Sequence, residues 1–379
     1  MRAGGGDQRL GTATGVISVW GLGPVRAAGV GPPLVILVRE TDEKVERVVC
    51  PGNASCWRAF NDVARVTASV RGVSGDVAGE RIGRYRLCEP IGRGGSSVVY
   101  RAINDHRATL PRVVAVKVAV HERCADDGFR RAFLDQSRIS AVINHPNVLP
   151  VLDAGEDGGR PFLVMPHVSG VDLARQIAAH ALTVGRVLAL LGQVASGLDA
   201  VHRCGLLHLD VKPANVLVGR AGQRTAGGAQ DLPPAMLERA FLADLGMCRF
   251  WAEPSAADTD DFVGSPRYAS PEHLRGVQVR ASADVYSLTC VLFACLAGRP
   301  PYVGDLPTVV SGHLAGRIPS LAALTALPRQ LDAVIRRGLH ADPRARFRSA
   351  ADLIASASDA LRSREHRLAG STVSTVVSP

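Results

Sequence analysis

The stretch GLLHLDVKPANVLV, residues 205–218, places four polar side chains inside an otherwise apolar run. They are His208, Asp210, Lys212 and Asn215. Burying a carboxylate or an amine costs free energy unless the group is paired or used in chemistry. The carboxylate can accept a hydroxyl proton, the amine can hold an anion, and the amide oxygen can bind a cation. This loop is therefore a candidate site of chemistry.

The composition is that of a globular protein, with 379 residues of which 46% are hydrophobic. This length can build one large or two modest domains. No apolar run approaches the roughly eighteen residues of a membrane span, and the N-terminus lacks the long apolar segment of a signal peptide. We expect a cytoplasmic protein. The eight cysteines include no C-x-x-C pair, which predicts reduced thiols rather than disulfides or a zinc site.

The net charge of +9 is spread along the chain, and aromatic residues make up 4%. This pattern favours a solvated basic surface over nucleic-acid binding. Of the 44 basic residues, three are lysine: Lys44, Lys117 and Lys212. Because arginine is the default cation of this chain, each lysine is an exception that needs an explanation, since the two side chains are not interchangeable. Two of the three, Lys117 and Lys212, lie in the motifs described below.

The periodicity of the apolar residues divides the chain into a strand-rich front and a helix-rich rear. Apolar residues recur at helical spacing over 184–202, and a second apolar helix over Ala283–Ala297 ends at Gly298. This order predicts two lobes with a cleft between them. Strands are predicted at Tyr85–Ile91, Ser97–Ala102, Val113–Val118, Val148–Asp153 and Phe162–Met165, with a helix at Phe129–Ile143.

Residues 1–81 have weak periodicity and form an N-terminal extension. Strand-like runs at Leu34–Val38 and Val45–Val49 and a candidate helix at Trp57–Ala68 suggest a small appended module. A poorly ordered extension or an over-long start assignment are alternatives that stay open. Two further segments lack a core-forming pattern: a Gly/Pro-punctuated insertion at 220–238 and a Ser/Thr-rich tail at 359–379.

Two motifs in the front half favour phosphate binding. IGRGGSSVVY, residues 91–100, lies between two predicted strands, where glycines let backbone N–H groups approach phosphate oxygens. A Gly-rich hairpin alone is more often a simple turn. VAVK, residues 114–117, places Lys117 in an apolar strand, where the amine needs an anionic partner such as phosphate. The alternative is an edge lysine that reaches solvent.

FLADLG, residues 241–246, places Asp244 at the end of an apolar strand and before a glycine. Asp244 and Asn215 supply hard oxygen ligands of the kind that Mg²⁺ takes alongside substrate phosphates. Alone, the tripeptide Asp244-Leu-Gly is an ordinary strand-to-turn transition.

Taken in order, these motifs and the SPE tripeptide at Ser270–Glu272 resemble the protein-kinase set of Gly-rich loop, V-A-I-K, H-R-D with Asn, D-F-G and A-P-E. GSPRYASPE, residues 264–272, resembles the segment that positions the peptide substrate. DVYSLTCVLFACLAGRPPY, residues 284–302, resembles the central buried helix of the family. The resemblance covers about residues 82–358, and the family is that of bacterial eukaryotic-like serine/threonine protein kinases.

The resemblance implies an α+β fold of two lobes. A β-rich N-lobe with one main helix would span about 82–165, an α-helical C-lobe about 169–358, and ATP would bind in the cleft between them. It implies ATP and Mg²⁺ as cofactors and proteins with Ser or Thr acceptors as partners, with no nucleic acid and no membrane span. A homodimer is an option for autophosphorylation in trans.

The same resemblance assigns roles to five residues. Asp210 would be the catalytic base, and Lys212 would steady the γ-phosphoryl group. Lysine at position 212 is the choice of serine/threonine kinases rather than tyrosine kinases. Asn215 and Asp244 would hold Mg²⁺, and Lys117 would contact the α- and β-phosphates.

Other positions are implied to surround the nucleotide or support the site. Val99 would lie above the adenine and Leu217 beneath it, with Met165 as gatekeeper and Pro166–Val168 as hinge. Ser265 would offer its hydroxyl to Asp210 and Lys212, and Arg346 would pair with Glu272. The full nucleotide-binding set is Ile91, Gly92, Arg93, Gly94, Gly95, Ser96, Ser97, Val98, Val99, Ala115, Lys117, Met165, Pro166, Val168 and Leu217.

The chain departs from the family pattern at several positions. Gln136 stands where a glutamate pairs with the lysine, and Asp135 lies about 100° around the helix. Leu209 replaces the arginine that in many kinases binds a phosphorylated activation loop. We therefore expect activity that does not depend strictly on loop phosphorylation. Thr259, flanked by aspartates, is a candidate phosphosite, and Thr289 stands where the central helix usually has glycine.

Two rival interpretations remain. A pseudokinase or nucleotide-binding scaffold would keep the fold without full activity, yet every phosphate- and metal-handling side chain is present. A small-molecule phosphotransferase would share the HxD…N loop but has no need of a peptide-positioning segment such as 264–272.

Overall fold

A computed structural model describes the chain over residues 79–105, 110–220, 238–250 and 265–371, together with three isolated strands. Those strands are Leu34–Thr41 (β1), Lys44–Pro51 (β2) and Asp261–Phe262 (β14). The chain forms two compact units, residues 1–74 with 259–263 and residues 75–258 with 264–379. The predicted helix at Trp57–Ala68 and the interior of the predicted insertion, 221–237, lie outside the described residues.

The smaller unit contains a three-stranded sheet in the order β1-β2-β14. Strands β1 and β2 form an antiparallel pair with Leu34 opposite Pro51, and β14 runs along β2 with Asp261 opposite Val48. The predicted strand-like runs at 34–38 and 45–49 lie within β1 and β2.

The N-lobe of the larger unit is a six-stranded antiparallel sheet in the order β3-β4-β5-β6-β8-β7. Burial mostly alternates along Tyr85–Arg93 and Ser97–Asn104, as expected for strands with one face on a core, whereas Val113–Ala119 and Arg160–Pro166 are buried over most of their length. That core includes Tyr85, Val116 and Phe162. The strands are Arg81–Ile82 (β3), Tyr85–Arg93 (β4), Ser97–Asn104 (β5), Val113–Ala119 (β6), Asp153–Asp157 (β7) and Arg160–Pro166 (β8).

The predicted strand at Val148–Asp153 is wrong for most of its length. Only Asp153 belongs to a strand, β7, and Val148 makes an isolated bridge to Leu242. Pro150 interrupts the segment because proline has no backbone N–H to donate to a ladder. Leu149 instead donates its N–H to the Leu242 carbonyl at 2.8 Å, which links this segment to the C-lobe hairpin.

Helix α1, Asp127–Ala141, packs against the N-lobe sheet. The Asp126 side chain accepts hydrogen bonds from the backbone N–H groups of Gly128 and Phe129, which caps the helix start. The buried residues of α1 are Phe133, Gln136 and Ser140. Their spacing of three and four places them on one helix face. Gln136 therefore points inward, towards the sheet.

The C-lobe is built around one apolar helix, α5, Ala281–Ala297. It is buried on nearly all sides, which is why its apolar residues show no amphipathic pattern. The helix ends at Gly298, whose φ of 73° closes the last turn. The other helices are α2 Leu173–Ala178, α3 Val184–Arg203, α4 Pro271–Leu274, α6 Leu306–Ala315, α7 Leu321–Leu324, α8 Gln330–Gly338 and α9 Ala350–Ser371.

Two helices, α3 and α9, differ from what the sequence predicts. Among the described residues, α3 is a helix whose length and composition alone would allow it to cross a membrane, although the sequence predicts no membrane span. Half of its most apolar window is buried within the protein, and Val194, Leu198 and Val201 are fully buried. The last helix, α9, continues through the first part of the segment assigned to the Ser/Thr-rich tail. The cysteines at positions 88, 124, 204, 248, 290 and 295 are free thiols, the state that the sequence predicts.

The register of two paired C-lobe strands explains why Asn215 and Asp244, which are far apart in the sequence, lie close together. Strand β11, Val216–Arg220, pairs antiparallel with β12, Glu238–Leu242, so that Val216 lies opposite Leu242. Asn215 immediately precedes β11 and Asp244 closely follows β12, so both lie at the same end of the hairpin. At the other end of the hairpin, Arg220 lies opposite Glu238, so the two residues that flank the insertion lie at the end of the hairpin opposite to Asn215 and Asp244. The remaining short strands are β9 Gly170–Asp172, β10 Leu206–Leu207 and β13 Arg249–Phe250.

Candidate active site

Asp210 is the centre of a buried polar cluster in the loop between β10 and β11. Its Oδ2 accepts hydrogen bonds from Asn215 Nδ2 and from Lys212 Nζ, each at 2.9 Å. Its Oδ1 is buried and has no hydrogen-bond partner among the described residues. A buried acceptor left unpaired costs free energy in a folded protein. This oxygen is therefore free to take a hydrogen bond from a substrate hydroxyl.

The amide of Asn215 is oriented by Asp210. Its Nδ2 donates both to the Asp210 backbone carbonyl and to Asp210 Oδ2, at 2.9 Å each. Because both neighbours are acceptors, the nitrogen must face them, and the amide oxygen points elsewhere. Asn215 thus has a free oxygen that fits a hard cation such as Mg²⁺.

Asp284, at the start of α5, holds the catalytic loop in place. Its carboxyl accepts the backbone N–H groups of His208 and Leu209 at 2.8 Å, and His202 Nε2 lies 2.8 Å from the same group. Leu209 has a φ of 62°, a conformation that costs about 1–3 kcal/mol for a non-glycine residue. The two N–H bonds to Asp284 hold the loop in that conformation.

Asp284 was missed as a site residue by the sequence analysis, although a signal was present. It is a lone carboxylate near the start of the most apolar helix of the chain, and such a charge needs a partner. The sequence does not show that the partner is the backbone of a loop 75 residues away.

The side chain of Leu209 is buried in a small apolar cluster with Leu207, Val279 and Ala283. An arginine at this position could present a guanidinium to a phosphate, whereas leucine completes an apolar contact between the loop and the segment before α5. This packing agrees with the expectation that position 209 does not sense a phosphate. The candidate phosphosite Thr259 lies outside the described residues.

Lys117 joins the two lobes through an ion pair. Its Nζ lies 2.7 Å from Asp244 Oδ1 and 3.4 Å from Gln136 Oε1. Asp135 instead pairs with Arg138 at the surface, so the structure places Gln136, not Asp135, beside the lysine. Because the Gln136 amide carries no charge, Asp244 is the one carboxylate among the described residues that forms an ion pair with Lys117.

The carboxyl of Asp244 is held in its ionised form. Burial acts to raise its pKa, but the Lys117 ammonium, the hydrogen bond from that ammonium and the more distant Lys212 charge together hold the pKa well below its usual range. Its φ of 65° directs the backbone into a left-handed turn, in which Gly246 N–H donates to Asp244 Oδ1 at 3.2 Å. An ionised carboxylate beside a free amide oxygen is a donor set that fits Mg²⁺.

The change Gln136→Glu is expected to preserve or raise activity. A glutamate would give Lys117 a charge-assisted partner on α1 and share the lysine with Asp244. We expect kcat/KM for ATP to stay equal or rise, by up to about tenfold, in a steady-state phosphotransfer assay. Asp135→Asn is the matched control, because its side chain faces Arg138. Loss of activity in Gln136→Glu together with an unchanged control would contradict the inference.

Most of the predicted nucleotide-binding residues lie on β4, β5, β6 and β8 of the N-lobe sheet or in the hairpin between β4 and β5. The Gly-rich hairpin is closed by a hydrogen bond from Gly94 N–H to the Ser97 carbonyl at 2.9 Å. In the sheet, Val99 lies opposite Lys117, and Ala115 opposite Met165. The residues Gly92, Val98, Val99, Met165, Pro166, Val168 and Leu217 are partly exposed, Ala115 and Ser97 are buried, and Ile91, Arg93, Gly94 and Gly95 are exposed.

Leu217 lies in the C-lobe on β11, where it pairs with Phe241 of β12 and Asp172 of β9. It therefore belongs to the opposite lobe from Val99, and its side chain is partly exposed. The Val168 side chain lies beside the β11–β12 hairpin, as shown by Gly219, where an added Cβ would come within 2.7 Å of it. Partly exposed apolar side chains on both walls of a cleft suit a flat aromatic ligand.

The segment at 265–272 is tied to the catalytic loop at one end and to the C-lobe core at the other. Lys212 Nζ donates to Ser265 Oγ at 2.9 Å, so the contact of Ser265 is made with Lys212, which in turn pairs with Asp210. Glu272 accepts two hydrogen bonds from Arg346, at 2.6 and 2.7 Å. Both members of this ion pair are buried.

The comparisons with known proteins agree with this geometry. The family model described as the protein kinase domain matches residues 85–356. The chain belongs to the protein kinase family. This kinase is 36% identical over 286 residues to the serine/threonine-protein kinase PknH of Mycobacterium tuberculosis, over 75% of this chain and 43% of PknH. It is 34% identical over 285 residues to PknE of the same species, over 75% of this chain and 47% of PknE.

The kinase also resembles a solved structure, that of the Mycobacterium tuberculosis PknI kinase domain. The sequence identity is 30%, the TM-score is 0.55, and the match covers 75% of this chain and 98% of that one. The two-lobed α+β fold is thereby confirmed, with the N-lobe sheet and the helical C-lobe as predicted. The kinase spans less than half the length of the curated relatives PknH and PknE.

Proposed function

We propose that this chain is an active serine/threonine protein kinase that transfers the γ-phosphate of ATP to Ser and Thr hydroxyls of proteins, its own included. The observation that carries the proposal is the unpaired buried Oδ1 of Asp210. The nitrogens of Lys212 and Asn215 both lie against the other carboxylate oxygen, Asp210 Oδ2, so Oδ1 is available to a hydroxyl donor.

Three charged side chains, those of Asp210, Lys212 and Lys117, would each have a task in such a transfer. Asp210 would orient the acceptor hydroxyl and take its proton through Oδ1. Lys212, which bridges Asp210 and Ser265, would place a positive charge where the transferred phosphoryl group becomes more negative. Lys117 would hold the α- and β-phosphates.

Mg²⁺, when bound, would neutralise the phosphate oxygens. Asp244 and Asn215 would hold it, since they offer an ionised carboxylate and a free amide oxygen at the same end of the β11–β12 hairpin. This chain's own contribution is to keep the Asp244 carboxyl ionised and the Asn215 amide oriented.

Two alternatives are disfavoured by particular residues. A pseudokinase scaffold would not need Asp210, Lys212 and Asn215 to form one hydrogen-bonded cluster. A small-molecule phosphotransferase would not need the segment 265–272, which Arg346 ties to the C-lobe through Glu272. That segment supports a protein substrate.

We extend the proposal to the organisation of the chain. The kinase domain would comprise residues 82–358, with an N-terminal extension, the insertion at 220–238 and a C-terminal segment from 359. The phosphoryl transfer would take place in the cytoplasm, where ATP and Mg²⁺ are available. Partners would be substrate proteins and, for autophosphorylation in trans, a second copy of the chain, with no role for nucleic acid or for a membrane span.

The direct test is transfer of a labelled γ-phosphate from ATP to the protein itself and to a basic model protein. We expect label on Ser and Thr in the presence of Mg²⁺ and its loss when EDTA removes the metal, because the phosphate charges are then left uncompensated. Restoring Mg²⁺ in excess should restore transfer. Binding of ATP without any transfer would support the scaffold alternative instead.

A further inference from the structure

His313 is a fully buried histidine on α6 that none of the roles above uses. A buried imidazole needs partners for both ring nitrogens. Its Nδ1 lies 2.8 Å from the Tyr286 hydroxyl of α5, and its Nε2 lies 3.2 Å from the backbone carbonyl of Arg267. One side chain thus joins the central helix to the segment that follows Ser265.

The two contacts determine the tautomer. The Arg267 carbonyl can only accept, so Nε2 carries the proton, and Nδ1 accepts from the Tyr286 hydroxyl. Burial lowers the pKa of His313 to about 4, so the ring is neutral near neutral pH, as this arrangement requires. The hydrogen bonds therefore run in one direction, from Tyr286 through His313 to the carbonyl.

Close packing fixes the position of the ring. The ring of Tyr302 meets that of His313 nearly edge-on, with centroids 4.5 Å apart. A Cβ at the neighbouring Gly312 would come within 2.5 Å of Tyr302, so glycine there is what allows α6 to approach so closely. The His313 ring, packed against Tyr302, therefore has little freedom to move away from the Arg267 carbonyl.

The carbonyl that His313 holds belongs to the one-turn 3₁₀ helix Pro266–Tyr268. Two residues earlier, Ser265 contacts Lys212. Tyr286, which donates to His313, also contacts Arg346, whose guanidinium lies 4.8 Å above the Tyr286 ring. The same guanidinium pairs with Glu272. Lys212, His313 and Arg346 therefore each hold the segment 265–272, as does the hydrogen bond from Arg267 to the Gly304 carbonyl.

We propose that His313 is a positioning residue for the protein substrate. It fixes the backbone of the segment that would receive the acceptor peptide, and it acts through the Arg267 carbonyl without touching substrate. The nucleotide residues belong to other elements, so the effect falls on peptide binding and orientation rather than on ATP. This inference rests on the proposed kinase function.

The test compares three variants with wild type. His313→Phe keeps an aromatic ring but removes both hydrogen bonds, His313→Gln keeps an amide donor for the carbonyl, and Tyr286→Phe removes only the hydroxyl. Thr289→Val is the matched control, since the buried Thr289 hydroxyl donates to Val285 within the same helix and the side chain lies against Gly338 of α8.

For His313→Phe we expect KM for a peptide substrate to rise about tenfold, with KM for ATP changed by less than about twofold. His313→Gln should recover most of the loss, and Tyr286→Phe should raise peptide KM by about threefold. Thr289→Val should change neither KM. Equal rises in both KM values, or the same peptide effect in Thr289→Val, would overturn the proposal.

Amide hydrogen exchange of residues 265–272 gives a second readout that needs no activity. We expect faster exchange in this segment for His313→Phe and Tyr286→Phe, and wild-type exchange there for Thr289→Val. If wild type transferred no phosphate, the proposed function would fail while this measurement would still decide the role of His313. Unchanged exchange in both variants would rule that role out.

Discussion

Replacing Asp210 by asparagine is expected to lower phosphoryl transfer by about 10²–10⁴-fold, the usual contribution of a positioned general base. An asparagine cannot take the hydroxyl proton, and it loses the charge that pairs with Lys212. Binding of ATP should persist, because the adenine-facing side chains Val99 and Leu217 belong to other elements. Labelled phosphate transfer and nucleotide titration measure the two effects separately.

Asp352→Asn is the matched control for this change, since it removes one carboxylate charge from an exposed position at the start of α9. We expect full transfer in the control. If Asp210→Asn transferred phosphate at the wild-type rate, Asp210 would not be the base and the assignment of the loop would be wrong. If wild type and variant both bound ATP and neither transferred phosphate, the scaffold interpretation would apply.

Replacing Arg346 by methionine is expected to destabilise the kinase by about 3–5 kcal/mol, because Glu272 would remain as an uncompensated buried charge. The Arg346 side chain is 0% exposed and that of Glu272 is 7% exposed. Arg346 also donates to the carbonyls of Ser282 and His340. For a domain of this size, the loss corresponds to a fall in Tm of about 10 °C, measurable by calorimetry.

Two further variants sharpen this prediction. Arg344→Met changes an exposed arginine two positions away and should leave Tm within about 1 °C of wild type, as usual for surface substitutions. Combining Arg346→Met with Glu272→Met removes both charges and should restore part of the lost stability. A double variant less stable than the Arg346→Met single variant would show that the pair acts through its geometry and not through the unpaired charge.

Features that depend on residues close together in the sequence are predicted well from the sequence alone, whereas contacts between residues far apart in the sequence are not. Most N-lobe strands and the helices at 184–202 and 283–297 follow from local periodicity, and their bounds differ from the structure by a few residues. The strand predicted at Val148–Asp153 is mostly wrong because Pro150 breaks the ladder, a signal that was readable in the sequence. The meeting of Asn215 and Asp244 follows only from the β11–β12 register.

The remaining features depend on tertiary contacts that leave no local pattern. The motif order predicts that Lys117 and Gln136 are neighbours, and the structure brings them to 3.4 Å. It does not predict that Lys117 pairs directly with Asp244, because that distance depends on how the two lobes meet. The contact between His313 and the Arg267 carbonyl joins residues 46 positions apart. No periodicity could indicate it.

The ion pair between Lys117 and Asp244 also has a consequence for the order of ligand binding. Without ligands, each charge is compensated by the other at 2.7 Å. A nucleotide would draw Lys117 towards its phosphates, and a divalent cation would draw Asp244 towards itself. Either ligand alone would leave one member of the pair without its partner, whereas both together supply a replacement for each. ATP and Mg²⁺ should therefore bind with positive thermodynamic coupling, each raising the affinity for the other.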